Sequence, residues 1–374
     1  MLRASVGAFS ILLVAVPARA GWEMKDFLIL MGWPGEVQCP DDDAMAKAMA
    51  DAGFNVAMWD EGKLDLCAKH GMKVLVDPAS PEIAARAARH PAAWGYYLKD
   101  EPQAGEFEAW VQQVGAVRKA DPGHPTWINL LSSAGDYLTS FIDTVHPEIL
   151  SYDYYQWWWG TQRHFPCLEE HRAAALRAGI PLICWIEVNA GSAEWNNDAP
   201  APPDNLEKLR ESVYTSLAYG VKGVEWFTAS KMFDAKTSKL KPCGKDVTTI
   251  NAELKQLGPV LVELESADVF HTPPVPAQTR ELPPGYRMQT RTHDLVLGVL
   301  KHRAEPASDY LMVANREIHR GRWVVLRLAR AVREVAKLEK PAGRWQPLPL
   351  TKAGRDAVVE FIIGPGDGEL LRVR

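Results

Sequence analysis

The sequence predicts a (β/α)8 TIM barrel followed by a smaller all-β, sandwich-like C-terminal domain, and two patterns predict it. Along the first two thirds of the chain a helix, a glycine and a short apolar strand recur as a unit. After Leu264 that pattern stops, and short alternating or β-branched runs take over. A chain of 374 residues exceeds one ordinary compact domain and suits a barrel with a small companion. With 47% hydrophobic and 24% charged residues, a large core is available and disorder is not expected.

Residues 1–20 read as an export signal. Arg3 precedes the apolar stretch Ala8 to Val16, and Ala18-Arg19-Ala20 fits the small-x-small cleavage pattern, so the mature chain begins near Gly21. The apolar stretch falls short of the roughly 20 residues that cross a bilayer. No later segment is long and apolar enough either, so the expectation is a secreted or periplasmic protein with no membrane span.

The barrel is expected over 21–265. Ala44 to Ala52 is helix-like, Gly53 can end it in the left-handed conformation, and 54–58 follows as strand. The same succession returns at Gly71, Gly179 and Gly220. Strands fall near 27–33, 54–60, 73–78, 94–101, 126–131, 148–155, 181–188 and 222–228. The intervening helices include 168–178 and 204–219, the latter opened by a capping box from Asp204 to Glu207. An open doubly wound sheet is the alternative, but the GxGxxG turn it would often carry is absent. Over 266–374 the prolines of 272–276 and the turn 282–285 break helix formation. Runs at 294–300, 310–314, 323–328 and 358–363 then predict an antiparallel β-sandwich. Bracing the barrel is its ordinary role, and carbohydrate binding is the alternative.

The net charge of -5 offers no basic footprint for nucleic acid. Five cysteines leave at least one unpaired. Cys184, in an apolar run, is the expected buried free thiol, while Cys39, Cys67, Cys167 and Cys243 are candidates for disulfides with the pairing open. There is no CxxC pair to suggest structural zinc. His164 and His171 read as surface or helix residues rather than ligands, and neither metal nor cofactor is expected.

In a barrel the reactive side chains gather at the C-terminal strand ends. Those ends carry Trp33, then Trp59 and Asp60, Asp77, Lys99 with Asp100 and Glu101, Asn129, Asp153 with Tyr154 and Tyr155, Trp185 with Glu187 and Asn189, and finally Glu225 and Trp226. A ring rich in carboxylates and aromatics suits acid/base chemistry on a neutral polyol. Glycosidic cleavage needs two carboxyl groups flanking the bond, and Glu101 and Glu187 are the expected catalytic pair, with Glu225 a rival for the second position. Expected contacts to a carbohydrate substrate are Trp33, Trp59, Asp60, Asp100, Asn129, Asp153, Tyr155, Trp157, Trp185 and Glu225. Each has an ordinary reading beside the functional one. Asp100-Glu101-Pro102 can simply open a helix, Glu187 can be a polar residue where a strand emerges, and Trp157-Trp158-Trp159 can pack under a loop.

The run from Trp94 to Pro102, WGYYLKDEP, resembles the strand-4 motif of clan A glycoside hydrolases, including β-galactosidase-like barrels with an Asp-Glu-Pro motif. The resemblance implies an acid/base role for Glu101, a nucleophile role for Glu187 with a retaining mechanism, and a tyrosine of 154–155 as partner to the nucleophile. Asn129, Ser151 to Tyr155 and Gly223 to Phe227 are similar to the same barrels, and Gly364 to Leu370 resembles the last strand of their sandwich domains. Asp100 departs from the clan, which has an asparagine there that donates to the sugar 2-hydroxyl; an ionised aspartate only accepts. Two other readings remain: a non-catalytic carbohydrate-binding barrel, and another barrel hydrolase or lyase using the same rim acids. A second glutamate facing Glu101 across one pocket would separate them.

Overall fold

The computed structural model describes residues 22–132, 135–191, 199–305, 307–329 and 332–374; the expected export segment 1–20 and Gly21 lie outside these. Eight parallel strands close into a barrel in sequence order. They are β1 (Leu28–Met31), β2 (Val56–Trp59), β3 (Lys73–Val76), β4 (Ala93–Asp100), β5 (Thr126–Leu131), β6 (Leu150–Asp153), β7 (Leu182–Glu187) and β8 (Gly223–Phe227). Closure comes from β1 on β8, with Leu28 opposite Gly223 and Leu30 opposite Glu225.

The helices are α1 (Asp42–Asp51), α2 (Leu64–Lys69), α3 (Pro81–Ala87), α4 (Phe107–Ala120), α5 (Asp136–Val145), α6 (Gln156–Trp159), α7 (His164–Ala178), α8 (Asn205–Ala218), α9 (Ala229–Met232) and α10 (Pro242–Leu261). Local chemistry sets their ends. Asp41 caps α1 by accepting from the Ala44 N–H at 3.1 Å. Gly179 ends α7 at φ 66°, in the left-handed region a glycine enters without a Cβ clash. The expected capping box at Asp204 does not form. That carboxylate pairs instead with Lys208 one turn on, at 3.0 Å, and its backbone is not extended.

Alternation along the strands divides the core. Leu28, Leu30, Val56, Met58, Leu75, Trp127, Ile183 and Trp185 fill the barrel interior. Ile29, Met31, Ala57, Val74, Val76, Cys184 and Val224 face the helices.

From Leu264 the chain forms two antiparallel sheets. The ten strands are β9 (Leu264–His271), β10 (Met288–Gln289), β11 (Leu295–His302), β12 (Asp309–Asn315), β13 (Arg322–Leu328), β14 (Val335–Glu339), β15 (Arg344–Pro347), β16 (Leu350–Ala353), β17 (Asp356–Ile363) and β18 (Gly368–Val373). One sheet runs β10-β13-β17-β16 and the other β15-β14-β18-β12-β11-β9. Leu297, Val299, Leu311 and Val313 of the larger sheet meet Val324, Leu326, Val359 and Phe361 of the smaller one. The other face of the larger sheet, through Val296, Met312, Ala314 and Leu370, belongs to the core of the barrel's helical layer.

The approach there is close. A Cβ on Gly298 would stand 2.1 Å from the Ala218 carbonyl oxygen, and one on Gly366 would stand 2.0 Å from that of Glu207. Arg172 of α7 ties the domains further, donating to Ser266 Oγ at 2.7 Å and the Ala267 carbonyl at 3.1 Å.

All five cysteines are free, so the disulfides considered for Cys39, Cys67, Cys167 and Cys243 are not present. The last three are buried on α2, α7 and α10, and Cys39 Sγ lies 2.8 Å from Ser238 Oγ. His164 and His171 lie on α7 as expected but are buried rather than on the surface, and His171 stacks on Tyr152 with centroids 3.9 Å apart.

Candidate active site

The local feature that builds the site is a bulge in β4. The register against β5 slips between Tyr97 and Lys99, so Tyr97 pairs with Trp127 while Asp100 pairs with Asn129. Tyr97 and Asp100, three residues apart, therefore share the interior face, and the Tyr97 hydroxyl donates to Asp100 Oδ1 at 2.8 Å. Lys99 is opposite Ile128, which packs in the helical layer, and so stands on the other side of the sheet from Asp100.

Asn129 links the next two strands. Its amide nitrogen donates to Asp100 Oδ1 at 3.1 Å and to Asp153 Oδ1 at 3.2 Å, while its oxygen accepts from Ser151 Oγ at 2.8 Å. Trp185 Nε1 completes the chain by donating to Ser151 Oγ at 3.1 Å.

Glu101 sits at the end of this network, exposed where Asp153 is buried. Its backbone is left-handed, with φ 44°, and its N–H donates to the Asn129 carbonyl at 2.9 Å. A non-glycine residue in that region costs about 1–2 kcal/mol, and such strain clusters at functional sites. The Glu101 carboxyl is raised above the usual carboxylate range, first by burial and then by Asp100, while a hydrogen bond with Asp153 pulls the other way. Asp153 is pushed up further, by burial, then Glu101, then Asp100. Two carboxyls in such close contact cannot both ionise cheaply, so the pair retains a proton above the usual carboxylate range.

Beneath them lies Glu225. It is wholly buried on the interior face of β8, and neither carboxylate oxygen has a hydrogen-bond partner. Burial raises it well above its usual range, reinforced by Asp100, Asp153 and Asp77. Asp77 follows β3, accepts from Trp33 Nε1 at 3.1 Å, and is itself raised by burial and Asp100.

Glu187 is engaged elsewhere. Its Oε1 accepts from the Trp157 N–H at 2.8 Å, in the first turn of α6. Burial lifts it to about 7, against the pull of the backbone N–H groups of Glu187 and Trp157, and no carboxylate of the Glu101 cluster contributes. The structure thus brings Glu101 together with Asp100, Asn129 and Asp153 and leaves Glu187 holding the loop after β6.

The aromatic residues divide as well. Trp33 packs on Trp185 at 4.9 Å and on Phe227 at 5.7 Å, and Tyr155 stacks on Phe227 at 5.1 Å. Trp59, with Val76 opposite it, is turned into the helical layer, away from the mouth. Asp60 caps a turn by accepting from the Gly62 N–H at 3.0 Å. Trp157 is anchored by its Nε1 to the Lys208 carbonyl and Ser212 Oγ, both at 3.1 Å. Of the three consecutive indoles, Trp159 is the exposed one, at 47%.

Asp77, Tyr97, Ser151, Trp159 and Phe227 were absent from the expected contacts. Alternation from Leu75 and from Asp153 would have found Asp77 and Ser151. Tyr97 is hidden by the bulge.

No family model matches the sequence, nor does any curated protein. A rhamnosidase from Novosphingobium sp. PP1Y superposes with a TM-score of 0.52 at 6% identity, over 84% of this chain and 46% of that one. A GH27 β-L-arabinopyranosidase from Geobacillus stearothermophilus gives 0.49 at 11% identity, over 93% of this chain and 96% of that one. A GH2 β-galacturonidase from Eisenbergiella tayi bound to glycerol gives 0.43 at 16%, over 61% and 51%. The likeness to the rhamnosidase is one of fold.

Proposed function

We propose that the protein is an exported O-glycoside hydrolase acting on oligo- or polysaccharides, with Glu101 as its proton donor. The observation that carries this reading is the strained Glu101 at the barrel mouth, exposed to a ligand yet hydrogen-bonded to the buried Asp153. Cleavage requires a proton on the leaving oxygen as the bond to the anomeric carbon lengthens. Glu101 delivers the proton that it and Asp153 retain between them, and the negative charge left behind is shared by the pair.

Asp100 is the companion carboxylate. Tyr97 and Asn129 hold it, so it is oriented before substrate arrives and can meet the positive charge that develops at the anomeric carbon. In the clan A version of this reading Glu187 attacks instead, through a carboxylate whose Oε1 accepts the Trp157 N–H. The barrel-plus-sandwich fold is shared with a rhamnosidase, a likeness that constrains chemistry only weakly. Export rests on the pattern of residues 1–20 alone.

Purified protein screened on glycans and aryl glycosides tests the reading. Hydrolysis lost in Glu101→Gln, and lost more on poor leaving groups than on activated aryl glycosides, is the expected result. Unchanged turnover in Glu101→Gln on every responsive substrate overturns it. One observation favours a non-catalytic carbohydrate-binding barrel: the half-buried Trp33 after β1 and the exposed Trp159 of α6 leave aromatic rings open to a ligand. Binding of glycans without turnover of any of them would select that reading.

A further inference from the structure

Resting on the reading above, we propose that Ser151 and Trp185 are positioning residues for the acids of the site. They form a one-way hydrogen-bond relay that fixes the Asn129 amide with one N–H on Asp100 and the other on Asp153.

The relay crosses four neighbouring strands, β4 to β7. Asp100 is opposite Asn129, Asn129 is opposite Ser151, and Trp185 is opposite Asp153. Ser151 and Asp153, two residues apart on β6, share the interior face. Asn129, Ser151 and Trp185 are all buried. The direction of the relay follows from its first member, because an indole Nε1 carries a proton and never accepts. Ser151 Oγ therefore accepts from Trp185 at 3.1 Å, and its own proton goes to Asn129 Oδ1 at 2.8 Å. That turns the amide oxygen toward Ser151 and the NH2 group toward the acids. The amide nitrogen stands 3.1 Å from Asp100 Oδ1 and 3.2 Å from Asp153 Oδ1.

The shape of an asparagine does not choose between its two ends, since a half turn of the amide exchanges oxygen for nitrogen. Turned over, Asn129 would present its oxygen to two carboxyls, which is tolerable only when they carry protons. It would also take the acceptor away from the buried Ser151 proton. The relay thus holds Asn129 as a donor. In that orientation it favours ionised Asp153, whereas burial, Glu101 and Asp100 favour the protonated form. The same amide and the Tyr97 hydroxyl converge on Asp100 Oδ1. In the reaction, the relay sets how readily the pair of Glu101 and Asp153 gives up its proton. Other titratable groups that act with Asp153 are Glu225 on β8, Tyr137 on α5, and Tyr152 and Tyr155 beside it in sequence. Substitution at Ser151 or Trp185 removes none of them.

Carboxyl ¹³C NMR of the intact protein, titrated with pH, reads the relay without any substrate. Ser151→Ala should raise the proton affinity of the Asp153 carboxyl roughly tenfold, the worth of one buried hydrogen bond. Trp185→Phe should raise it roughly threefold, since Ser151 keeps its hydroxyl but loses the donor that orients it. Ser151→Thr, which keeps the hydroxyl on a β-branched residue suited to a strand, should restore the titration of the parent. The sign separates positioning from packing: a cavity that merely admitted water would lower Asp153, and would lower the buried Glu187 with it. Glu187, outside the relay, should still titrate at about 7 in Ser151→Ala. On any glycan that is cleaved, the alkaline limb of kcat/KM should move to higher pH in Ser151→Ala and return in Ser151→Thr. An unchanged or lowered Asp153 in Ser151→Ala overturns the proposal, and if that variant does not fold, the same result in Trp185→Phe overturns it. The expected titrations in a protein that hydrolyses no glycan keep the relay and remove the hydrolase reading. Hydrolysis that depends on Glu101 while Asp153 stays unmoved does the reverse.

Discussion

The two halves of the barrel mouth solve the same problem, how to finish a barrel at its open end, in opposite ways. On the side of β3 to β6 the finish is polar: Asp77, Asp100, Glu101 and Asp153 are spread over strand ends, with Asp100 and Asp153 knitted by Tyr97 and Asn129. On the side of the loop after β6, β7, β8 and β1 it is aromatic, with Trp33, Trp185, Phe227, Tyr155 and Trp158 linked in a chain of ring contacts. Each half holds a glutamate at a strand end. Glu101 belongs to the polar half, where other acids help to raise it. Glu187 serves the aromatic half, where burial raises it and a backbone N–H holds it. Two residues of one type in equivalent positions are thus prepared for different work, and the difference lies in their neighbours.

The comparison breaks most readily at the two glutamates themselves. Glu101→Gln should lower turnover by roughly 10²–10⁴-fold, the usual worth of a positioned acid, while Glu187→Gln keeps the Trp157 bond through its amide oxygen and should lower it far less. Steady-state rates on a poor-leaving-group substrate decide, and a larger loss in Glu187→Gln would return the nucleophile to β7.

Stability against pH sharpens the same contrast. With Glu187 at about 7 in the folded protein against an ordinary 4.5, the folded state holds the proton more tightly. The contribution of Glu187 to stability is therefore fully present below about pH 4.5, falls as pH rises toward 7, and is lost above it. The full shift corresponds to about 3 kcal/mol. Denaturant unfolding of Glu187→Gln between those limits should show a flatter profile than the parent protein; an unchanged slope would mean that Glu187 is not the titrating group.

Smaller effects test the strain and the rim. Glu101→Gly relieves the left-handed backbone and should raise stability by roughly 0.5–1 kcal/mol while abolishing activity, a gain that denaturant midpoints can resolve. Trp159→Ala should leave turnover of small aryl glycosides unchanged and weaken binding of longer glycans by roughly 1–2 kcal/mol, consistent with the loss of one exposed stacking ring.

The barrel was legible because its signals are periodic and local. Glycines end helices, apolar runs make strands, and the eight strands fall within a few residues of where the pattern puts them. The strand-end rule also gathered Asp100, Glu101, Asn129 and Asp153 correctly in space. It failed where direction mattered more than position. Trp59 follows Met58, which points inward, so alternation turns Trp59 outward. Tyr97 enters the site only through a bulge, which leaves no mark in composition. The role of Glu187 depends on α6, a single turn of helix whose N–H groups need an acceptor. That requirement is set by tertiary geometry, not by spacing along the chain.

The close seating of Gly298 and Gly366 on α8 reaches farther than the domain boundary. The same helix grips the turn that carries the indoles, through Glu211 and Ser212 to Gln156 and through Ser212 to Trp157. The sandwich therefore works as a clamp on a lever whose far end is one wall of the cleft. A bulky side chain at Gly298 would pry α8 outward and misalign Trp157 and Trp159, leaving the acids of β4 and β6 undisturbed. Damage to the remote β domain would then be read as a loss of grip on long chains, with the chemistry at Glu101 intact.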